Sequence, residues 1–176
     1  SSDLTALTAA IPDLLDKWLP ALALATIALA ACGVLAAVRL RVLAAWLVLL
    51  SAGTLLIAPA QASVRVDAAA LYYLTQSTLA GAALFLLAGA IAEQRGDSAD
   101  HLLTGYAPQT SWLKIAFFVV AVTLAGLPPF SGFIGKVMLL AALGSAPAAA
   151  LTWTVILAAG FVVMIALARA GSYLFW

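Results

Sequence analysis

Apolar residues run in long blocks, and the charged residues fall between them. The first 17 residues are mixed: Asp3, Pro12, Asp13, Asp16 and Lys17 surround Leu14 and Leu15. That stretch predicts an interfacial lead-in, not a span. Residues 18–38 carry no charge, and Arg39 and Arg41 close the block. Further blocks cover 42–60, 68–92, about 111–146, and 147–168, the last closed by Arg169. A short polar loop holds Arg65 and Asp67. A longer one, 93–110, holds Glu93, Arg95, Asp97, Asp100 and His101. Each block is too long for a core helix or a barrel strand, so each predicts a transmembrane helix. The expected fold is an all-α integral membrane bundle of about five transmembrane helices, the fourth discontinuous.

Composition agrees. The 176 residues are 66% hydrophobic and 9% charged, with a mean hydropathy of +1.16. A soluble domain carries about 25% charge. An ordinary soluble enzyme, a disordered chain and a disulfide-stapled module are excluded. Eight Lys+Arg stand against seven Asp+Glu. There is no basic stripe for nucleic acid, and none is expected as a partner. Cys32, the only cysteine, lies in an apolar run and reads as a small core residue. Position 1 is not Met, and no basic region precedes a short apolar stretch, so the chain is expected to start inside a longer protein.

If the fourth block crosses once, Arg39, Arg41, Arg95, Lys114 and Arg169 share one side, and Lys17 and Arg65 the other. The excess of cations predicts a cytoplasmic face for the first set. The N-terminus is then outside and the C-terminus inside. Trp18, Tyr106, Trp112, Tyr173 and Trp176 lie near span ends. They fit an aromatic belt or packing against neighbouring helices.

The fourth block has about 36 residues where ~20 suffice. Its middle reads Ala125-Gly126-Leu127-Pro128-Pro129-Phe130-Ser131-Gly132-Phe133-Ile134-Gly135-Lys136. Pro128 and Pro129 remove two amide donors and clash with the preceding turn. Gly126, Gly132 and Gly135 loosen the same stretch, and Ser131 lies within it. Two half-helices joined by an irregular linker are expected near 126–132. Such backbone survives at membrane depth only inside protein or beside a wet cavity, and broken helices of this kind hold ion sites in transporters. A simple proline kink is the plainer alternative.

Lys136 is the one formal charge well inside a block. A lysine at the bilayer centre costs about 2.5–3.5 kcal/mol on insertion scales. Lysine, unlike arginine, can release a proton when buried. A proton relay at Lys136 is therefore expected, with a snorkelling surface lysine as the alternative. No carboxylate lies in any block, so the acidic partner is expected from another chain or a missing part of this one. Tyr72 and Gln76 share one helical face, and Tyr73, Ser77 and Gly81 another. Ser51 and Thr54 fall at mid-depth of the second block. Lys136, Gln76, Tyr72, Ser51 and Thr54 are the candidate proton-path residues, although Ser and Thr in such helices often only bond their own backbone. Asp97, Asp100 and His101 read as a solvated loop, not a metal site. No nucleophile arrangement or phosphate-cradling loop is present, so neither an enzyme site nor a cofactor is expected.

The stretch from Trp112 to Leu140, with Gly126-Leu127-Pro128-Pro129 and Lys136 at its core, resembles the antiporter-like membrane subunits. That group includes Mrp-type multisubunit sodium/proton antiporters and the proton-pumping subunits of respiratory complex I. The run Ala70-Leu71-Tyr72-Tyr73-Leu74-Thr75-Gln76-Ser77-Thr78-Leu79, with Ser51-Ala52-Gly53-Thr54, looks most like the D subunit of the Mrp group. The resemblance implies about fourteen helices with two inverted five-helix repeats, each broken in its fourth helix. This chain then matches the second repeat, and Lys136 the lysine of its broken helix. It also implies as partners other membrane subunits of a hetero-oligomeric complex, the missing N-terminal half, protons, and Na+ as the expected cation, all in a bacterial cell membrane. Relatives often carry His where Gln76 stands, and glutamine cannot titrate. The alternatives are a pumping subunit of complex I or a related hydrogenase, without its own redox site, and a non-conducting scaffold subunit.

Overall fold

The computed structural model describes residues 2–57, 64–96, 100–103, 110–144 and 147–175, with side chains described from residue 18 onward apart from 143, 147 and 148. The expectations at Asp97, Tyr106 and Trp176, the far end of the 42–60 block, and the lead-in side chains lie outside these residues.

The described helices are α1 (Ser2–Ala36), α2 (Leu40–Leu55), α3 (Val64–Arg95), α4 (Ser111–Ala125), α5 (Ser131–Leu143) and α6 (Pro147–Phe175). The mixed first 17 residues continue as helix into α1, whose apolar portion is Trp18–Ala36. Three helices are long and apolar enough to cross a membrane: Trp18–Ala36, Val64–Arg95 and Ala149–Phe175. The second expected span is a shorter helix of 16 residues, and the fourth is split into 15- and 13-residue pieces. At 1.5 Å per residue, α3 is about 48 Å long and α2 about 24 Å, against a hydrocarbon core of ~30 Å.

The helices close a ring. α1 lies against α2, α2 against α3, α3 against α4 and α5, and α4 against α6, which returns to α1. Lipid gives little hydrophobic drive between helices, so close approach of small residues matters more. The Trp46 ring on α2 covers the backbone at Gly33 on α1. A Cβ at Gly53 would stand 3.0 Å from Ile27. Ile27, Leu40, Leu43, Leu84, Ile91 and Leu113 are buried in the centre. Phe117 on α4 meets Phe175 on α6 edge-on, centroids 5.3 Å apart.

Two expectations are corrected. Cys32 is exposed, not in the core. The buried stripe of α1 is Ala23, Ile27, Ala30 and Val34, and Cys32 falls on the opposite side. A thiol is apolar enough to face lipid. Asp100 is only 5% exposed, so it is not part of a solvated loop. α2 begins at Leu40 after an extended Arg39 that caps nothing. Asp100 supplies what is missing: its Oδ2 accepts the Arg41 amide at 3.0 Å, and its carbonyl accepts the Leu40 amide at 2.8 Å. The Leu102 amide donates to the Val38 carbonyl at 2.9 Å, and Arg39 pairs with His101 in a single antiparallel bridge. Arg95 donates to the carbonyls of His101 and Leu103 at 2.6 and 2.7 Å. Residues 100–103 thus form a strap across the α1–α2 turn. Arg39, Arg41, Arg95, Lys114 and Arg169 all lie at this end of the bundle, because α1, α3 and α6 finish here and α2 and α4 begin here.

The cap gives a first prediction. Asp100→Ala removes a side-chain acceptor from the first turn of α2, a loss worth about 1–2 kcal/mol. Thermal unfolding of the full-length protein in detergent should shift down by several degrees. An unchanged Tm would show that the cap contributes nothing.

Candidate functional site at the broken helix

α4 stops where the sequence demands it. Gly126 takes a left-handed conformation, φ +77°, and closes the last turn. Its amide donates to the carbonyls of Val122 and Thr123 at 3.1 and 3.2 Å, and the Leu127 amide reaches back to Val122 at 3.2 Å. This is a Schellman-type ending, for which glycine is favoured because a Cβ strains a left-handed residue. Leu127, Pro128 and Pro129 then leave the bundle and are exposed. The chain turns through a Phe130 amide to Leu127 carbonyl bond of 3.1 Å, and α5 starts at Ser131, which is also exposed.

The break leaves carbonyls of α4 without helical partners. Lys136, on the second turn of α5, folds back to fill one: its Nζ donates to the Ala125 carbonyl at 2.8 Å. The C-terminal end of a helix is its negative end, so the ammonium is held by a carbonyl and by the helix dipole. The sequence leaves this charge wanting a partner from outside the chain, yet its first ligand is the backbone eleven residues earlier. Two glycines make room. A Cβ at Gly126 would stand 2.8 Å from the Lys136 Nζ, and one at Gly160 on α6 would stand 3.3 Å from it.

Gly132 brings the two half-helices together. Its Cα packs against the Thr123 carbonyl so closely that no Cβ fits. Gly135 does the same for α3: a Cβ there would stand 3.2 Å from the Tyr73 ring and 3.5 Å from Tyr72.

A small cavity of about 30 Å³, mostly apolar in its lining, lies beside the lysine, between α2, α3, α4, α5 and α6. Its polar lining is Ser51, Tyr73, Gln76, Ser77 and Lys136. One water needs ~10–15 Å³ of such space, so there is room for about two. Of the five sequence candidates, Lys136, Gln76 and Ser51 meet here. Thr54 lies one step back, buried, where its hydroxyl donates to the Leu50 carbonyl at 3.0 Å and its side chain meets the Tyr73 hydroxyl. Ser51 also bonds its own backbone, at the Val48 carbonyl, 2.8 Å. Tyr72 lies outside the cavity, about a third exposed, with its ring beside Gly135. Tyr73 and Ser77 take the place expected of Tyr72. The inward stripe of α3 is Val66, Ala69, Tyr73, Ser77, Ala80, Gly81 and Leu84, and Tyr72 is one position off it. Gly160 is not legible as a site residue. Its only sequence signal is a small residue in the last apolar block.

A ring of apolar helices with one interrupted helix, whose lysine folds back onto the interruption, defines an all-α membrane domain. The chain belongs to the family described as "NADH:quinone oxidoreductase/Mrp antiporter, TM", whose profile matches residues 4–165. It is 36% identical over 190 residues to a probable K(+)/H(+) antiporter D subunit of Rhizobium meliloti (strain 1021), covering 92% of this chain and 35% of that protein. A shorter match, 42% identical over 67 residues, is to the Na(+)/H(+) antiporter D subunit of Bacillus subtilis (strain 168), and covers 38% of this chain and 14% of that protein. Among solved structures, a chain in the "Structure of Mrp complex from Dietzia sp. DQ12-45-1b" superposes with a TM-score of 0.75 at 27% identity, over 88% of this chain and 29% of that one. The similarity is thus to the D subunit of Mrp-type antiporters, and the chain spans about a third of the length of the Rhizobium relative.

Proposed function

We propose that this chain is part of a membrane subunit of a multisubunit monovalent cation/proton antiporter in a bacterial cell membrane, and that it carries a proton path through Lys136. The observation that carries this reading is the placement of one ammonium between a helix-end carbonyl at 2.8 Å and a small cavity that Ser51, Tyr73, Gln76 and Ser77 also line. In the path, Lys136 gives its proton to water in the cavity and later takes one back from it, while the Ala125 carbonyl holds the ammonium in place. Gln76 and Ser51 order water there, Thr54 supports Tyr73, and Tyr72 fixes α5 through Gly135. No cofactor takes part. The five-helix unit acts as one half of an inverted repeat. The remainder of the protein and the other membrane subunits supply the rest of the route. The end holding Arg39, Arg41, Arg95, Lys114 and Arg169 faces the cytoplasm.

The Rhizobium and Bacillus relatives carry different cations in their names, K+ and Na+, and their matches cover 92% and 38% of this chain. Na+ is the expected ion for this complex. The test is proton movement driven by a Na+ gradient in liposomes holding the whole complex. Gln76→Leu, which makes one wall of the cavity apolar, should slow it about tenfold, the effect of removing one buried polar partner worth ~1–2 kcal/mol. The reading is lost if neither Na+ nor K+ gradients move protons, or if Gln76→Leu is as fast as wild type.

A further inference from the structure

At the basic end of the bundle lies a second cleft, of about 250 Å³, distant from Lys136. It is lined by Ala37 and Val38 at the α1–α2 turn, Leu102 and Leu103 in the strap, and Arg169 and Tyr173 on α6. Arg169 is its chemical centre. The Arg169 Nη2 donates to the Ala37 carbonyl at 3.1 Å, while Nε is buried and has no partner. Among the described residues, only that carbonyl accepts from the guanidinium. A guanidinium carries five N–H donors in a planar fork; Nε is occluded, whereas Nη1 is unpaired among the described residues and is not occluded. The fork fits an acceptor with several oxygens on one centre, of which phosphate is the best match.

The surroundings identify the source of that phosphate. The rim is apolar and open: Val38 is 66% exposed, Leu103 61% and Tyr173 41%. The cleft sits where α1 ends and α2 begins, and so at headgroup depth in a membrane. Tyr173 adds a phenol at the same level, the amphipathic group favoured at that boundary. Arg39, Arg41, Arg95 and Lys114 lie at this end, and the Asp100 carboxylate is turned inward onto the Arg41 amide. Glu93 near the end of α3 is the other described carboxylate here, so cations still outnumber anions and the local field favours an anion over a choline ammonium. We infer that this cleft is a binding site for an anionic phospholipid, its phosphate held by Arg169 and its glycerol ester resting on Val38 and Leu103. Because Arg169 also holds the α1–α2 turn, the bound lipid fastens α6 to that turn.

Native mass spectrometry of the whole complex, after exchange into mixed phosphatidylglycerol and phosphatidylcholine, reads the site. Wild type should retain phosphatidylglycerol over phosphatidylcholine. Arg169→Gln should weaken that retention about fivefold, as expected for one cation at the surface. Arg169→Lys, which keeps the charge and loses the fork, should fall between. Should Arg169→Gln fail to assemble, Val38→Asp places a repelling charge on the open rim without touching the Ala37 bond, and should lose the same preference. Millimolar inorganic phosphate should not displace the lipid. The inference is overturned if both Arg169→Gln and Val38→Asp retain phosphatidylglycerol as wild type does. It is equally overturned if wild type shows no preference because another part of the complex covers the cleft, or if inorganic phosphate competes the lipid away.

Discussion

Lys136→Ala is expected to cut proton-coupled cation flux through the reconstituted complex about a hundredfold, the lower range of what one acid–base group contributes. The fold should survive, because the end of α4 is closed by the Gly126 and Leu127 amides and not by the lysine. The informative companion is Lys136→Arg. Arginine keeps the positive charge and can still donate to the Ala125 carbonyl, but it does not give up its proton. If Lys136 carries protons, arginine fails as badly as alanine. If the lysine only pins the break or repels a second cation, arginine restores most of the flux. Dye-reported pH changes in proteoliposomes, normalised to the amount of assembled complex, separate the two outcomes, and an active arginine variant would falsify the relay.

Gly132→Ala should produce the second large effect, with the opposite sign from the usual helix rule. Alanine in place of glycine inside a helix gains about 0.5–1 kcal/mol. At Gly132 the added methyl meets the Thr123 backbone carbonyl, which cannot swing away as a side chain does. Overpacking against rigid backbone costs roughly 1–3 kcal/mol or more, so the clash wins. α5 must move off α4 and take Lys136 with it. Lower thermal stability and lost flux should therefore appear together. Gly89→Ala is the control: the nearest atom to its new Cβ would be Nη2 of Arg41 at 4.0 Å, and stability should hold or rise. Equal behaviour of the two variants would show that the half-helices are not in close contact.

The break is the most legible part of the sequence. Two prolines, flanking glycines and a lysine in an overlong apolar block leave a helix little choice but to end, and the helices stop at Ala125 and restart at Ser131. The turn of α3 is not legible from hydrophobicity. In a membrane both the lipid side and the bundle side are apolar, so the period that reveals a buried face in water disappears. That is why the sequence favours Tyr72 where Tyr73 lines the cavity. The stripe of small residues Ala69, Ser77, Ala80, Gly81 and Ala88 marks the packed face instead. The strap is hidden for another reason. Asp100 looks solvent-bound beside His101, and its use depends on an amide 59 positions away that no local pattern announces. Gly160 likewise matters only through a lysine on a different helix.

The two halves of the broken helix are seated on different supports. α5 lies along α3, whereas α4 lies along both α3 and α6 and is pinned to α6 by the Phe117–Phe175 contact. Lys136 belongs to the first half and its carbonyl ligand to the second. A shift of α5 against α4 therefore changes the 2.8 Å bond that holds the charge, and the tight seating of Gly132 on the Thr123 carbonyl opposes such a shift. The same glycine that lets the halves meet thus also keeps the ammonium on its ligand.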